Sequence, residues 1–238
     1  MGVDVTNGGI ESTKDYVATM PYTCGCWVMP TGSWGSHNLS IGLNGGSEYK
    51  RVWHDSSGSP SIDAQNFRLT TAGLTPLSGG KWHYELLRVI SATNRRLSVL
   101  YPDGHIEHAQ DTRSSGITLA MDAVVGWASS FDAFPGIVAE AFWVQADIQT
   151  DGAQAQNALI YQLAYRGPFA FSHLAPILDY RSFRMGRATN EDVMGEVYSS
   201  LSQAHVWSIN GTVPPATIHP PLASDYVRPA QTKRLLMV

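Results

Sequence analysis

The chain has 238 residues, a mass of 25.9 kDa and 43% hydrophobic residues, enough to bury one all-β core. Its net charge of −4 and pI near 6.0 supply no broad positive field, which argues against nucleic-acid binding. Charged residues reach only 15%, against ~25% in ordinary soluble domains, so many short strands and turns are expected.

Residues 1–21 read as an N-terminal segment without a basic start or an apolar run, so no secretory signal is expected. Stretches of ~18 consecutive apolar residues, long enough to cross a membrane, are absent, and the chain is expected to act away from membranes. Cys24 and Cys26 share one face of a strand at about 7 Å, too far apart for an unstrained disulfide. Lacking companion ligands at metal-binding spacing, they are expected to be small packed residues.

Residues 22–175 alternate strand and turn signals. Leu39, Ile41 and Leu43 alternate with Ser40, Gly42 and Asn44 before the turn Asn44-Gly45-Gly46, predicting a half-buried strand. Further runs fall at 49–54, 67–71, 82–90, 96–101, 117–119, 124–127 and 137–146, and this spacing predicts a two-sheet sandwich. Val138–Val144 is apolar on both faces except at Glu140, so a central strand with a covered outer face is expected. The covering element is the one predicted helix, Ala153–Tyr165, capped by Asp151, carrying Ala155, Leu159 and Leu163 on one face, and ended by Gly167-Pro168.

Residues 176–238 contain Pro176, Pro214, Pro215, Pro220, Pro221 and Pro229 and predict an extended C-terminal arm. Its apolar residues, including Trp207, Tyr226, Leu235 and Leu236, need a surface to cover, either the chain's own sandwich or a neighbouring subunit.

Three blocks carry a family resemblance. Thr23-Cys24-Gly25-Cys26-Trp27-Val28-Met29-Pro30 comes first, then Gly80-Lys81-Trp82-His83-Tyr84 with the hairpin around Tyr101-Pro102-Asp103-Gly104. The last comprises Val125-Gly126-Trp127 and Phe134-Pro135-Gly136-Ile137-Val138-Ala139-Glu140. In this order they resemble the laminin-G-like, concanavalin A-like sandwich proteins. The resemblance implies an all-β, two-sheet antiparallel jelly roll with one short helix. The segment beyond the helix resembles sandwich proteins of tailed-phage particles. That likeness implies a virion component, such as a capsid decoration protein, working in a symmetric array with other virion proteins.

Catalytic and metal signals are sparse. Glycan hydrolases of this architecture align several carboxylates along one strand face, a pattern missing here, and the odd spacing of Glu140 and Asp147 separates them. His105 and His108 likewise fall on opposite strand faces. His54-Asp55 lacks a serine in a nucleophile turn. The loop carboxylates Asp103, Asp111, Asp122 and Asp132 leave calcium open, but no cofactor is required. The sequons at Asn38 and Asn210 carry little weight without a secretory signal. No enzymatic activity is expected. Trp34, Phe131 and Phe134 in loops, with Trp207, Tyr226, Leu235 and Leu236 in the arm, are the candidate contacts for a protein partner or a glycan. The leading expectation is a non-enzymatic structural protein of a phage particle, a sandwich head with a C-terminal arm that fastens it to neighbouring subunits; the alternative is a lectin-like adhesion module for host or cell-surface glycans.

Overall fold

The computed structural model describes residues 2–12, 20–45, 48–64, 67–69, 74–113, 122–126, 132–148, 153–168, 177–181, 197–198, 207–214, 216, 218, 220 and 221. Its strands are β1 (Val3–Asp4), β2 (Asn7–Ser12), β3 (Tyr22–Pro30), β4 (Asn38–Gly45), β5 (Glu48–His54), β6 (Pro60–Ala64), β7 (Phe67–Leu69) and β8 (His83–Ser91). There follow β9 (Asn94–Leu100), β10 (Ile106–Asp111), β11 (Asp122–Val125), β12 (Asp132–Ala133), β13 (Gly136–Val144), helix α1 (Ala153–Arg166), β14 (Ile177–Arg181), β15 (Val197–Tyr198) and β16 (Trp207–Thr212).

They build a jelly-roll sandwich of two sheets. One sheet runs β10-β9-β8-β3-β13-β14-β15 with β1 also on β13; the other runs β16-β2-β11-β4-β5-β6-β7 with β12 on β4. Among the described residues, every pairing is antiparallel except β12 with β4.

Period-two alternation explains the core. Cys24, Cys26 and Val28 of β3, Leu87 and Val89 of β8, and Leu97 and Val99 of β9 face inward, where they meet Ile41, Val52, Ile62 and Val125 of the other sheet. Their outward neighbours Trp27, Tyr84, Leu86, Phe142 and Val144 pack beneath Leu159, Ile160 and Leu163 of α1. The predicted helix thus covers the predicted central strand, and the Trp27 indole donates to the Ala164 carbonyl at 2.9 Å. Each such large apolar side chain contributes about 1.5–3 kcal/mol on burial.

Of four register irregularities among the described strands, two reshape the core at β13 and β4. Register slips between Ala139 and Phe142, where Glu140 adopts φ +53°, so Val138 and Ala141 both point into the core. The same point divides one edge of β13 between two partners: β1 pairs with Ile137 and Val138, and β14 pairs from Ala141 onward. A second slip, between Leu39 and Ile41, makes Ser40 the extra residue of β4. β4 was expected to be half-buried, yet Asn38–Asn44 is buried throughout. Leu39 packs with Val124 on the sheet's outer face while Ser40 turns inward.

Strands of both sheets also lie outside 22–175. β16 pairs with β2 from Trp207↔Ser12 to Thr212↔Asn7. Beyond it, the Asp4 amide donates to Pro214 O, Ala216 N to Gly2 O, and Gly2 N to Ile218 O. Residues 207–214, 216 and 218 therefore lie along the chain's own N-terminal segment, and Val213 enters the core. The predicted strand at 117–119, Trp127 and the capping Asp151 fall outside the described residues.

Candidate functional site

The loops 31–37, 55–59, 74–82, 101–105 and 132–135 gather at one end of the sandwich. Backbone hydrogen bonds stitch them together: Thr31 N to Pro135 O at 2.8 Å, Gly80 N to Pro30 O at 2.7 Å and Leu77 N to Gly58 O at 3.1 Å. Backbone tied this way holds its side chains in place.

Beneath these loops lies a polar cluster between the sheets. Glu85 projects inward from β8, sharing the parity of Leu87 and Val89. Its Oε2 accepts the Ser40 hydroxyl at 2.6 Å, and its Oε1 lies 2.6 Å from His54 Nε2. The His54 Nδ1 faces the Asn38 carbonyl at 3.3 Å. All three side chains are fully buried. The order is serine, carboxylate, imidazole; the imidazole does not touch the serine, so the cluster is no nucleophilic relay. It clamps β4 and β5 to β8. Burial and, second, the Glu85 charge push the Cys24 and Cys26 thiols well above their ordinary range.

Trp34 closes this cluster off from solvent. Its half-buried ring stacks on His54, with centroids 5.1 Å apart and planes at 29°, and meets Phe134 edge-on at 5.5 Å. Gly58, at φ +81°, lets the backbone pass the indole, since a Cβ there would lie 2.5 Å from Trp34 Nε1. The turns next to it carry a polar rim. Asp132 Oδ2 accepts from Ser36 N at 2.9 Å and His37 N at 3.3 Å, while the Ser36 hydroxyl lies 2.9 Å from His37 Nδ1. Asn38 spans the turn, accepting from Gly35 N at 3.0 Å and donating to Gly35 O at 2.9 Å. In the 55–59 loop, Asp55 Oδ1 accepts from Ser57 N at 2.8 Å and Ser59 N at 3.1 Å.

A second polar group lies on the 101–105 loop. The exposed His105 ring stacks flat on Tyr101 at 4.3 Å, and its Nδ1 pairs with Asp103. Backbone and side-chain hydrogen bonds from His105 hold the Asp103 carboxyl below its usual range. Glu107 accepts from Thr75 N at 2.6 Å and Thr75 Oγ1 at 2.7 Å. His83 accepts the Ser78 amide at Nε2 and donates from Nδ1 to Lys81 O. Burial lowers its pKa to about 4, leaving a neutral ring.

The sequence-derived candidates divide. Trp34 sits at the centre of the rim. Phe134 is fully buried, which removes it from any contact surface; it supports Trp34 instead. Trp207 is described only through its backbone in β16, and Phe131, Tyr226, Leu235 and Leu236 fall outside the described residues. The four calcium candidates are scattered. Asp111 is buried against Arg95, Asp132 holds the 35–37 turn, Asp103 pairs with His105, and Asp122 lies in β11 opposite Asn44. His54 meets Glu85 rather than Asp55, because the Asp55 carboxylate turns back onto its own loop. His108 points away from His105, to Ser98 and Asn157. Glu140 is the bulge residue, and Asp147 accepts from Arg88 Nε at 2.7 Å. Sequence reasoning missed Glu85 and Ser40. The detectable signal was a lone carboxylate at the inward parity of an otherwise apolar run.

No family model matches the sequence, and no curated protein matches it. Among solved structures, tailspike protein 2 of Escherichia coli O157:H7 bacteriophage CAB120 is similar at TM-score 0.46 and 15% identity, over 71% of this chain and 25% of that one. The heptameric SAP-like pentraxin of Limulus polyphemus is similar at TM-score 0.49 and 10% identity, over 91% of this chain and 96% of that one. Domains LG4-5 of the mouse laminin alpha1 chain are similar at TM-score 0.45 and 16% identity, over 63% and 44%. The chain spans about a quarter of the length of the tailspike chains it matches.

Proposed function

We propose that this chain is a non-enzymatic glycan-binding module whose site is the Trp34 rim. The observation that carries the reading is the seating of Trp34. A half-buried indole packs against His54, Phe134 and Gly58, and the turns on either side of these contacts, 35–37 and 55–59, are held by Asp132 and Asp55. A fixed aromatic surface edged by hydrogen-bonding groups suits a sugar ring, which offers apolar C–H faces and equatorial hydroxyls. Non-catalytic binding is supported by the sealing of Glu85 in the core and by the use of Asp55 and Asp132 to hold their own turns. The test is a glycan array with the wild type and Trp34→Ala, followed by a search for released sugar. Binding that drops about tenfold or more without Trp34, with no hydrolysis, is the expected result.

A structural role in a phage particle, above all capsid decoration in a symmetric array, is the second reading. It is supported by the sequence likeness described above and by the apolar residues Leu235, Leu236 and Val238, which lie outside the described residues. Co-sedimentation with particles in fixed ratio to their major protein would favour it; recovery only in soluble fractions would remove it.

A further inference from the structure

We propose that Arg88 and Arg96 form a binding site for a phosphate-type oxyanion on the α1 side of the first sheet. Arg88 of β8 and Arg96 of β9 stand directly opposite in register, and both have outward parity, since Leu87 and Leu97 beside them enter the core. Opposite residues on one face of an antiparallel pair hold their Cβ atoms about 5 Å apart, which puts both guanidinium groups within reach of one ligand. The row continues through Thr23 of β3 and Gln110 of β10, both uncharged. It lies toward the ends of β3 and β8 remote from the loops that carry Trp34. Like charges set opposite each other repel. One carboxylate answers them: Asp147 Oδ1 accepts from Arg88 Nε at 2.7 Å. Arg88 Nη2 and Arg96 Nε are buried donors without an acceptor, and Asp147 Oδ2 is unpartnered as well. Neither arginine makes a further hydrogen bond or ion pair among the described residues.

Helix α1 starts on the Arg96 side of this row. Asn157 meets His108 at 2.9 Å, and the next outward-facing residue of β10 is Gln110, opposite Arg96. The first turn of α1 carries no acidic residue, so the positive end of its dipole adds to the two guanidinium groups. Arg88 is buried and Arg96 half-buried, so a ligand enters over Arg96. A tetrahedral oxyanion accepts from the unpartnered N–H groups of both arginines, and its charge turns their repulsion into shared attraction. A neutral sugar brings no such charge.

The experiment is calorimetric titration of the full chain with sodium phosphate, glucose 6-phosphate and glucose, at one ionic strength held by chloride. Saturable binding of phosphate is expected, and glucose alone should not compete for it. Tighter binding of glucose 6-phosphate than of free phosphate would make a phosphorylated saccharide the source of the anion; weaker binding would make it the free ion. Arg96→Gln keeps the Arg88–Asp147 pair and should weaken phosphate binding about tenfold or more. The Arg88→Gln, Asp147→Asn double variant, which strands no buried charge, should lose affinity likewise. Lys81→Gln removes an exposed cation ahead of β8 and should leave binding unchanged. Undiminished affinity in Arg96→Gln, an equal loss in Lys81→Gln, or the lack of saturable phosphate binding by the wild type would overturn the proposal.

Discussion

Glu85 of β8 and His54 of β5 meet at 2.6 Å between the two sheets, and neither side chain reaches solvent. Removing one member of such a pair leaves the other buried without its partner. Glu85→Ala is therefore expected to cost about 3–5 kcal/mol, measured by urea unfolding. Glu85→Gln, which can still accept from Ser40, should cost less. A loss below about 1 kcal/mol for the alanine variant would rule out the clamp.

His83 should control the acid limb of stability. Its pKa in the folded protein is about 4, against about 6.5 for an unperturbed imidazole. As the pH is lowered through 6.5, the unfolded chain therefore takes up a proton that the folded chain refuses until about pH 4. Stability is full above pH 6.5 and falls by up to about 3 kcal/mol as the pH drops toward 4. In His83→Gln this decline should flatten, as read from unfolding midpoints across that range.

Cys24 and Cys26 should be inert to thiol reagents in the native state, because burial and the Glu85 charge disfavour the thiolate. Both should react with a chromogenic disulfide reagent once urea unfolds the chain. Rapid labelling of the folded protein would contradict their placement in the core.

Gly211 has φ +77°, and a Cβ there would collide with the Asn7 carbonyl. Gly211→Ala should loosen the pairing of β16 with β2 at a cost of about 1–2 kcal/mol or more. Hydrogen exchange should quicken at 7–12 and 207–212 and stay slow at 84–87. Uniform acceleration would mean that the terminal strands and the sandwich open as one unit.

Much of the architecture was legible because local chemistry and tertiary structure agree. Leu159 and Leu163 marked a helix face that does pack on the sheet, and Asp103-Gly104 marked a real turn, with Gly104 at φ +87°. The bulges were not legible, since parity counting assumes an unbroken period of two and nothing local announces a left-handed Glu140. The Glu85–His54 contact joins positions 31 residues apart on different sheets, beyond the reach of spacing rules. Trp34 looked like a free loop aromatic because its supports, Phe134 and Gly58, come from distant loops. In the C-terminal region the prolines drew the reading toward an arm, although Trp207-Ser208-Ile209-Asn210 already alternates as a strand.

The pairing of the N-terminal residues 2–12 with 207–214, 216 and 218 also makes this sandwich directional under tension. Gly2 and Ile218 lie at the same end of that antiparallel ribbon. A pull that separates them peels the hydrogen bonds one at a time and meets little resistance. A pull between Gly2 and Trp207, at opposite ends, loads every rung together. The same seam is a zipper along one axis and a rope along the other.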